Sequence, residues 1–297
     1  MRDTDPVTDS LGLWGLPDLV DFGLRLLVLP LLVVVLARWG RIGLRWLPFW
    51  ALARATAQLG LVALLLRGIL DAPATVLAFV ALMLTTASFT AAGRVAELHR
   101  GRRIAALGVV SGAAVALLVI FVLHLVRSEA TDVIAVAGIV IGNAMTAATL
   151  SGRNFLGASR QRRDEVEAWL SLGATPTQAH AELGRVAARE ALLPGLDQTK
   201  STGLVTLPGA FVGALFGGAS PLEAAQFQLV VLAGLGLAMT VTALIVTRLA
   251  GRSPYVSVEP DGDQLSASRP EGAARRSSHG RSRARAARAP DVRRRQP

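Results

Sequence analysis

Apolar segments of about 20 residues recur along this chain, and they constrain its fold more than any other feature of the sequence. A helix of that length is long enough to cross the hydrocarbon core of a bilayer, which is about 30 Å thick. Of the 297 residues, 52% are hydrophobic, so a water-soluble globular domain is a poor interpretation. We predict an all-α fold, a polytopic transmembrane helix bundle with seven spans near residues 19–37, 47–66, 72–92, 104–126, 133–150, 203–217 and 225–249.

The Arg residues in the loops predict the orientation of the bundle, because basic loops stay on the cytoplasmic side. The first loop carries Arg38, Arg41 and Arg45, and the third loop is also basic, whereas the even-numbered loops are neutral or acidic. With seven spans, this alternation places the N-terminal tail (residues 1–18) outside and the C-terminus in the cytoplasm.

Most of the net charge of +10 comes from arginines in the C-terminal tail, residues 251–297. This tail is rich in Ser, Pro, Ala and Arg and has little apolar surface to bury, so we predict that it is disordered. Its charge suits contact with anionic lipid headgroups or a role as a topological anchor. We therefore expect the lipid bilayer as a partner and no nucleic acid.

Residues 151–200 separate spans one to five (19–150) from spans six and seven (201–250), and they carry charged side chains of both signs. Apolar residues at helical spacing predict an amphipathic helix near residues 157–172. Gly173 is suited to end that helix. Thr175 then caps a second helix, with Pro176 at its first position and Gln178 completing a capping box.

We predict that the second helix ends near Leu193, because Pro194 and Gly195 follow it. The two helices would form a cytoplasmic hairpin of defined shape between spans five and six. Such a hairpin is suited to dock a cytoplasmic protein, and the alternative is a surface helix pair without a partner.

Polar or soft side chains inside predicted spans are candidates for a translocation path, because such groups are costly in a bilayer and are commonly functional. Arg54 could instead extend its side chain to the interface, and Asn143 could make an interhelical hydrogen bond. Pro208 removes a backbone donor and can bend the sixth span. The candidate path residues are Arg54, Gln58, Asn143, Met145, Thr146, Pro208 and Gly209.

Glycines recur at four-residue spacing within the predicted spans, a pattern that lets helix backbones approach closely. We predict close helix packing at these positions, either within the bundle or at a subunit interface. They are Gly108 and Gly112 in the fourth span, Gly138 and Gly142 in the fifth, and Gly209, Gly213 and Gly217 in the sixth.

Motifs for ATP hydrolysis or metal catalysis are absent from the sequence. The chain has no Cys, which excludes thiolate ligands and disulfides. Lys200 lacks the preceding glycines of a phosphate-binding GxxxxGK[ST] loop, and HExxH is missing. We therefore expect no enzymatic activity and no bound cofactor, and the residues that would contact a metal stay unidentified. Energised transport would then depend on an ion gradient or on a partner subunit.

Three segments, IGNAMTAATLSGRN, EVEAWLSLGATPTQA and GLVTLPGAFVGALFGGASPLEAAQFQLVV, together resemble the FetB-type family of ABC transporter permeases. The resemblance covers roughly residues 47–249 and includes Arg54 and Gln58 in the second span. Bacterial members of that family are associated with iron export, and plant relatives with aluminium tolerance.

The resemblance implies a permease subunit of the bacterial plasma (inner) membrane that exports a metal ion, iron, or another small solute. It would pair as a homodimer and work with a separate cytoplasmic ABC ATPase, which would hold the ATP and Mg. The hairpin would be the ATPase-coupling element, through Glu167, Leu172, Gly173, Ala174, Thr175 and Pro176.

One segment departs from the family pattern, which has a Met-rich run with a Gln after LPG, whereas this chain has AFVGALFGG. The departure leaves the cargo open, and an ABC permease for a non-metal substrate is one alternative. A gradient-driven secondary transporter or channel is another, although no Asp or Glu lies in the middle of a predicted span, where such proteins commonly place one.

Overall fold

A computed structural model describes residues 16–69, 73–127 and 129–253 of the chain. These residues form helices joined by short turns, and one isolated bridge links Thr202 and Thr206. The helices are α1 (Leu16–Leu26), α2 (Val28–Trp39), α3 (Leu47–Ile69), α4 (Pro73–Arg94), α5 (Gly101–Val122), α6 (Ala130–Gln161), α7 (Arg163–Ser171), α8 (Pro176–Ala179), α9 (Ala181–Ser201), α10 (Gly209–Phe216) and α11 (Pro221–Ala250). Nearly all of the two predicted tails, 1–18 and 251–297, lies outside the described residues.

The predicted all-α, polytopic fold is confirmed. Among the described residues, 6 helical stretches are long and apolar enough to cross a membrane. The first runs through both α1 and α2. They are Asp21–Trp39, Leu47–Leu65, Ala74–Arg94, Gly101–Val122, Ala130–Gln161 and Pro221–Ala250.

The segment predicted as the sixth span, residues 203–217, differs from a spanning helix. It consists of a turn followed by α10, which has 8 residues and is therefore roughly 12 Å long. Gly203 has a φ of 98°, and Pro208, which has no N–H to donate, precedes α10 as its N-cap. These two residues prevent a continuous helix, so the described part of the chain has six candidate spans where seven were predicted.

The helices of the predicted hairpin also begin and end elsewhere. The amphipathic pattern near residues 157–172 is divided between the end of α6 and α7, and the second helix is divided into α8 and α9. α9 continues through Pro194 to Ser201, so the predicted end near Leu193 is wrong. Ala191 and Gly195 are buried, with Gly195 against Met239 of α11, and this packing offsets the hydrogen bond that Pro194 cannot make.

The described residues divide into two compact units. The first comprises residues up to Met83 together with His124–Gly138, and it contains α1, α2 and α3. In α1, Arg25 pairs with Asp21 one turn earlier at 2.6 Å between Nη2 and Oδ2. In α2, Val34 and Ala37 are buried.

The second unit comprises Leu84–Leu123 and the residues from Ile139 onward, and its core is the contact between α5 and α11. Glycines on α5 make this contact close, as the sequence predicts. A Cβ atom at Gly108 would lie 2.6 Å from Val246 Cγ2, and one at Gly112 would lie 2.0 Å from Thr242 Oγ1. Neither position leaves room for a side chain.

α9 packs along α11 and runs antiparallel to it. A Cβ atom at Gly184, near the start of α9, would lie 3.6 Å from Thr247 Cβ near the end of α11. One at Gly195 would lie 2.9 Å from Met239 Sδ, closer to the middle of α11. The contacts therefore move toward the start of α11 as α9 proceeds toward its end.

Candidate functional site

The turn at residues 172–176, between α7 and α8, is fixed by hydrogen bonds on both sides. Gly173 has a φ of 88°, the left-handed conformation that glycine adopts without a Cβ penalty. The Ala174 N–H donates to the Trp169 carbonyl at 3.0 Å. The Gln178 N–H donates to Thr175 Oγ1 at 3.4 Å, and the Thr175 N–H donates to Gln178 Oε1 at 2.9 Å. The predicted capping box is therefore present.

Two large apolar side chains beside this turn are exposed. Leu172 is 82% exposed and Trp169 is 51% exposed. They border a hollow of about 510 Å³ whose other lining residues are Gly173, Ala174, Gln178 and Ala181. An apolar surface displayed on a fixed turn is typical of a protein-binding site.

Two ion pairs lie beside the turn, one within α7 and one between α7 and its N-cap residue, Arg162. Glu167 Oε1 lies 2.6 Å from Arg163 Nε, and Arg162 Nε lies 3.7 Å from Glu165 Oε2. The Glu167 carboxylate is therefore directed back along α7, and the 172–176 turn presents an apolar surface with two ion pairs behind it.

His180, at the junction of α8 and α9, anchors the turn to the rest of the second unit. Its side chain is 3% exposed, and its Nδ1 lies 2.8 Å from the Pro176 carbonyl oxygen. Its ring centroid lies 5.6 Å from that of Phe155 on α6. A Cβ atom at Gly251, which follows α11, would lie 3.4 Å from His180 Cβ. A displacement of the turn would thus reach both α6 and the end of α11.

A second candidate site is the interruption between α9 and α10, residues 202–208, which we call the α9–α10 break. The Gly203 N–H donates to the Thr206 carbonyl at 2.8 Å, and the Thr206 N–H donates to the Ser201 carbonyl at 3.2 Å. Hydroxyl groups also satisfy the end of α9. Ser201 Oγ and Thr202 Oγ1 donate to the Gln198 carbonyl at 3.0 and 2.9 Å.

The end of α9 lies level with the middle of α11. Asp197 and Lys200 follow Gly195 by two and five residues, which is roughly 3 and 8 Å along a helix axis. Because Gly195 lies beside Met239, these two residues are level with the centre of the 30-residue α11. The charged residues of α11, by contrast, are Glu223 in its first turn and Arg248 in its last.

Asp197 and Lys200 form an ion pair at this level, with 3.2 Å between Lys200 Nζ and Asp197 Oδ1. Their side chains are 68% and 74% exposed. Leu204 and Val205, in the α9–α10 break, are also exposed. The end of α9 and the break that follows it therefore place a charged pair and an apolar loop next to each other, level with the middle of α11.

The path residues predicted from the sequence occupy two units. Arg54 and Gln58 belong to the first unit, where both are exposed. Asn143 Nδ2 donates to the Ile139 carbonyl at 2.8 Å, and Thr146 Oγ1 to the Gly142 carbonyl at 3.0 Å, so both bond within α6. Met145 is half-buried, and Pro208 and Gly209 form the start of α10.

The predicted packing glycines have different surroundings. A Cβ atom at Gly138 would lie 3.0 Å from Met83 Cε, whereas one at Gly142 or Gly213 would have no neighbour within 4 Å in this chain. One at Gly217 would meet only backbone oxygens of its own helix end, at 3.4 Å. The use of these glycines in packing stays a prediction.

Sequence analysis did not identify Asp197, Lys200 or His180 as site residues. Both Asp197 and Lys200 fall within the predicted cytoplasmic hairpin, residues 151–200, and Pro194 predicts the end of the helix before them. One signal was available: Lys200 is the single Lys among the 31 basic residues of the sequence. No such signal marked His180.

A family model described as an uncharacterised protein family, UPF0014, matches residues 20–255. The chain is 37% identical to the UPF0014 membrane protein STAR2 of Oryza sativa subsp. japonica over 220 residues, 73% of this chain and 77% of that protein. It is 32% identical to the protein ALUMINUM SENSITIVE 3 of Arabidopsis thaliana over 226 residues, 75% and 82% of the two chains.

A bacterial relative is the probable iron export permease protein FetB of Escherichia coli K12. The two chains are 30% identical over 233 residues, which is 78% of this chain and 90% of the relative. These matches confirm the resemblance found in the sequence. No solved structure matches the chain.

Proposed function

We propose, since this chain belongs to the UPF0014 family of membrane proteins, that it is the membrane permease subunit of an ABC transporter. A separate cytoplasmic ATPase would bind ATP and Mg, because the sequence has no phosphate-binding loop of its own. The name of the Escherichia coli relative suggests export and a metal ion, iron, as the cargo. Another small solute is the alternative cargo.

The observation that carries this proposal is the 172–176 turn. It presents exposed Leu172 and Trp169 on a backbone that Gly173 and the capping box hold in one conformation. A rigid element can transmit a displacement, whereas a flexible loop would absorb it. The apolar surface suits burial in a protein partner, and no described residue of this chain outside the turn and the neighbouring helices lines the hollow.

The contacts of the turn indicate how a displacement would reach the membrane-spanning helices. His180 contacts the ring of Phe155 on α6, and α9 lies along α11 from Gly184 to Gly195. ATP-driven movement of the partner would press on the turn and shift α9 against α11. Two copies of the chain, each with an ATPase subunit, would enclose the path between them.

The charges at the ends of the spans support a location for the complex. Arg38 lies in the last turn of α2, and Arg41 and Arg45 lie between α2 and α3. A second basic group, Arg100, Arg102 and Arg103, follows α4 two spans later, so we expect both groups on the cytoplasmic side. The 172–176 turn must lie on that side to meet an ATPase. In a bacterium, this is the plasma (inner) membrane.

The experiment is co-expression of the chain with the ABC ATPase subunit encoded nearest to it in the genome, followed by purification through the permease. We expect the ATPase to co-purify with the native chain and with Leu172→Met. Leu172→Asp should lose the ATPase, because a carboxylate would be desolvated in the docking surface. Ile42→Asp, at another exposed apolar residue in a predicted cytoplasmic loop, is the control and should retain it.

A gradient-driven carrier is a second candidate, and the Asp197–Lys200 pair level with the middle of α11 favours it. Interrupted helices with ionisable residues near the midplane are a feature of secondary transporters. The two functions differ in their energy source. Transport that stops on ATP depletion supports the ABC permease, whereas transport that survives ATP depletion and stops with an uncoupler supports the carrier.

A further inference from the structure

We propose that the end of α9 and the α9–α10 break together bind the cargo as a cation, with Asp197 as its carboxylate ligand. Lys200 is then an internal counter-ion, whose ammonium group neutralises Asp197 when the cation is absent. This inference rests on the proposed permease function and adds to it the position of the site and the residue that binds the cation.

The depth of the pair requires polar surroundings. Charged side chains near the middle of a bilayer are costly and usually face the interior of a bundle or a water-filled cavity. Asp197 and Lys200 lie level with the centre of α11, yet their side chains are 68% and 74% exposed in the single chain. Lipid cannot cover such a face, so it borders an aqueous path, which in the proposed dimer lies between the two copies.

The electrostatics of the break favour a cation. The C-terminal end of an α-helix carries a partial negative charge, and α9, with 21 residues, ends at this point. Asp197 adds a full negative charge, and the hydroxyls of Ser201, Thr202 and Thr206 add oxygen atoms nearby. Oxygen ligands suit hard cations.

The site is suited to transient binding. The described part of the chain contains no group of three or more His, Asp or Glu residues that could hold a metal ion. A pathway needs binding that is favourable enough for entry and weak enough for release. One carboxylate with hydroxyl oxygens meets that need better than a complete chelating site.

The identity of the counter-ion, a Lys, suits an ammonium group that a cation displaces from Asp197. The 31 basic residues of the sequence include a single Lys, and it is the residue placed against Asp197. An Arg can grip a carboxylate with two parallel hydrogen bonds, whereas Lys presents a compact ammonium group on a flexible stem. A Lys therefore yields the carboxylate to a competing cation more readily.

The same helix provides a matched control. Arg185 and Glu182 also pair at i,i+3 spacing on α9, with 2.6 Å between Nη2 and Oε2, and both are exposed. They lie near Gly184, beside the end of α11 and away from the break. Their removal should therefore alter an equivalent ion pair without altering the site.

The test measures how strongly Fe²⁺ binds and activates the native chain and the variants. Binding of radioactive Fe²⁺ would be measured by equilibrium dialysis on the full chain in lipid nanodiscs. Fe²⁺ stimulation of ATP hydrolysis and uptake into inverted vesicles would be measured on the complex with the ATPase. The variants are Asp197→Asn and Lys200→Met, with Glu182→Gln and Arg185→Met as controls.

We expect the half-saturating Fe²⁺ concentration to rise about tenfold in Asp197→Asn, because this variant removes the charge of the ligand. In Lys200→Met it should fall about three- to tenfold, because the ammonium group that competes with Fe²⁺ is gone. The two controls should match the native chain. If the half-saturating Fe²⁺ concentration shifted in the same direction in both variants, or in neither, the cation site would be rejected. An ion pair with only a structural role would respond equally to the loss of either partner.

The nanodisc measurement separates this inference from the proposed function. If the chain binds Fe²⁺ through Asp197 but no ATPase assembles with it, the cation site is supported and the ABC permease function is rejected. If the ATPase assembles and Asp197→Asn transports Fe²⁺ as fast as the native chain, the cation site is rejected and the ABC permease function is retained. Should Asp197→Asn fail to fold, Lys200→Met, which keeps the carboxylate, decides the matter: unchanged or weaker Fe²⁺ binding rejects the proposal.

Discussion

The hydroxyl of Thr242 on α11 donates a hydrogen bond of 3.1 Å to the carbonyl oxygen of Gly108 on α5. Thr242 is fully buried, and the two bonded residues lie 134 residues apart in sequence, so the bond joins two distant helices. The bond is possible because Gly108 and Gly112 present bare backbone to α11. The first prediction concerns this close contact between two candidate spans.

Gly112→Ala should destabilise the chain. The added Cβ would lie 2.0 Å from Thr242 Oγ1 and 2.6 Å from the Ala238 carbonyl oxygen, so α11 would have to move. Overpacking of this kind costs about 1–3 kcal/mol. We expect a lower midpoint of thermal unfolding for the chain in detergent.

Gly157→Ala on α6 is the matched control, because a Cβ atom there has no neighbour within 4 Å. It should leave the midpoint unchanged or raise it slightly, since Ala favours helix over Gly by up to about 1 kcal/mol. If the two variants unfolded at the same temperature, the close contact between α5 and α11 would be refuted.

The capping boxes at Thr175 and Ser220, both in the described part of the chain, should have different consequences when they are removed. Thr175 caps α8 and Ser220 caps α11, each with a reciprocal hydrogen bond from its partner, Gln178 or Glu223. Removing such a cap costs about 1 kcal/mol. Because Thr175 belongs to the 172–176 turn, Thr175→Ala should weaken ATPase binding, measured as the dissociation constant in detergent.

Ser220→Ala removes an equivalent cap at the start of α11. The end of α11, not its start, lies beside His180 and the 172–176 turn. It should lower the unfolding midpoint by a similar amount and leave ATPase affinity unchanged. Equal losses of affinity in both variants would show that the turn has no special role in docking.

Gly173 should tolerate Asn better than Ala or Val. Its φ of 88° is unfavourable for residues with a Cβ, whereas a Cβ there would meet no atom within 4 Å. The cost of substitution is therefore conformational, about 1–2 kcal/mol for an ordinary residue, and Asn enters this region more readily. ATPase affinity should follow the order Gly, Asn, Ala, Val. If Val bound the ATPase as tightly as Gly, the fixed conformation of the turn would be irrelevant to docking.

Much of the fold and of the first site could be predicted from the sequence, because the signals involved are local. Apolar length predicts a spanning helix wherever the helix is continuous, and the Thr175, Pro176 and Gln178 pattern predicted the cap that the structure has. Gly173 predicted the end of the preceding helix for the same reason. Each of these features depends on residues within one or two turns of one another.

The continuation of α9 past Pro194 could not be predicted, because it depends on a distant contact, whereas Pro208 is a local signal for the interruption that follows. Pro194 is a local signal for the end of a helix, and the sequence offers no local signal against it. The structure overrides it through the packing of Gly195 on Met239, 44 residues further along the chain. That continuation carries Asp197 and Lys200 to the level of the middle of α11, where sequence analysis placed no carboxylate.

Gln228 on α11 gives the last two predictions, because it is 5% exposed and its Oε1 is buried without a hydrogen-bond partner in the described residues. A buried polar atom left unsatisfied costs about 1–3 kcal/mol, and an apolar side chain of similar shape can be neutral or stabilising. Gln228→Met should therefore raise the unfolding midpoint. Thr242→Val, which removes a hydroxyl that has a partner at Gly108, should lower it.

The same Gln228→Met variant should transport less. An unsatisfied polar group in a membrane-spanning helix destabilises the chain, and such groups usually serve a pathway. Gln228 lies about 11 Å from the centre of α11, toward Glu223 at the start of that helix. A cation that moves from Asp197 toward the start of α11 would therefore pass the level of Gln228. We expect a higher unfolding midpoint together with slower Fe²⁺ transport by the complex. A more stable variant with unchanged transport would assign Gln228 to packing, and a less stable variant would show that Oε1 has a partner in the assembled transporter.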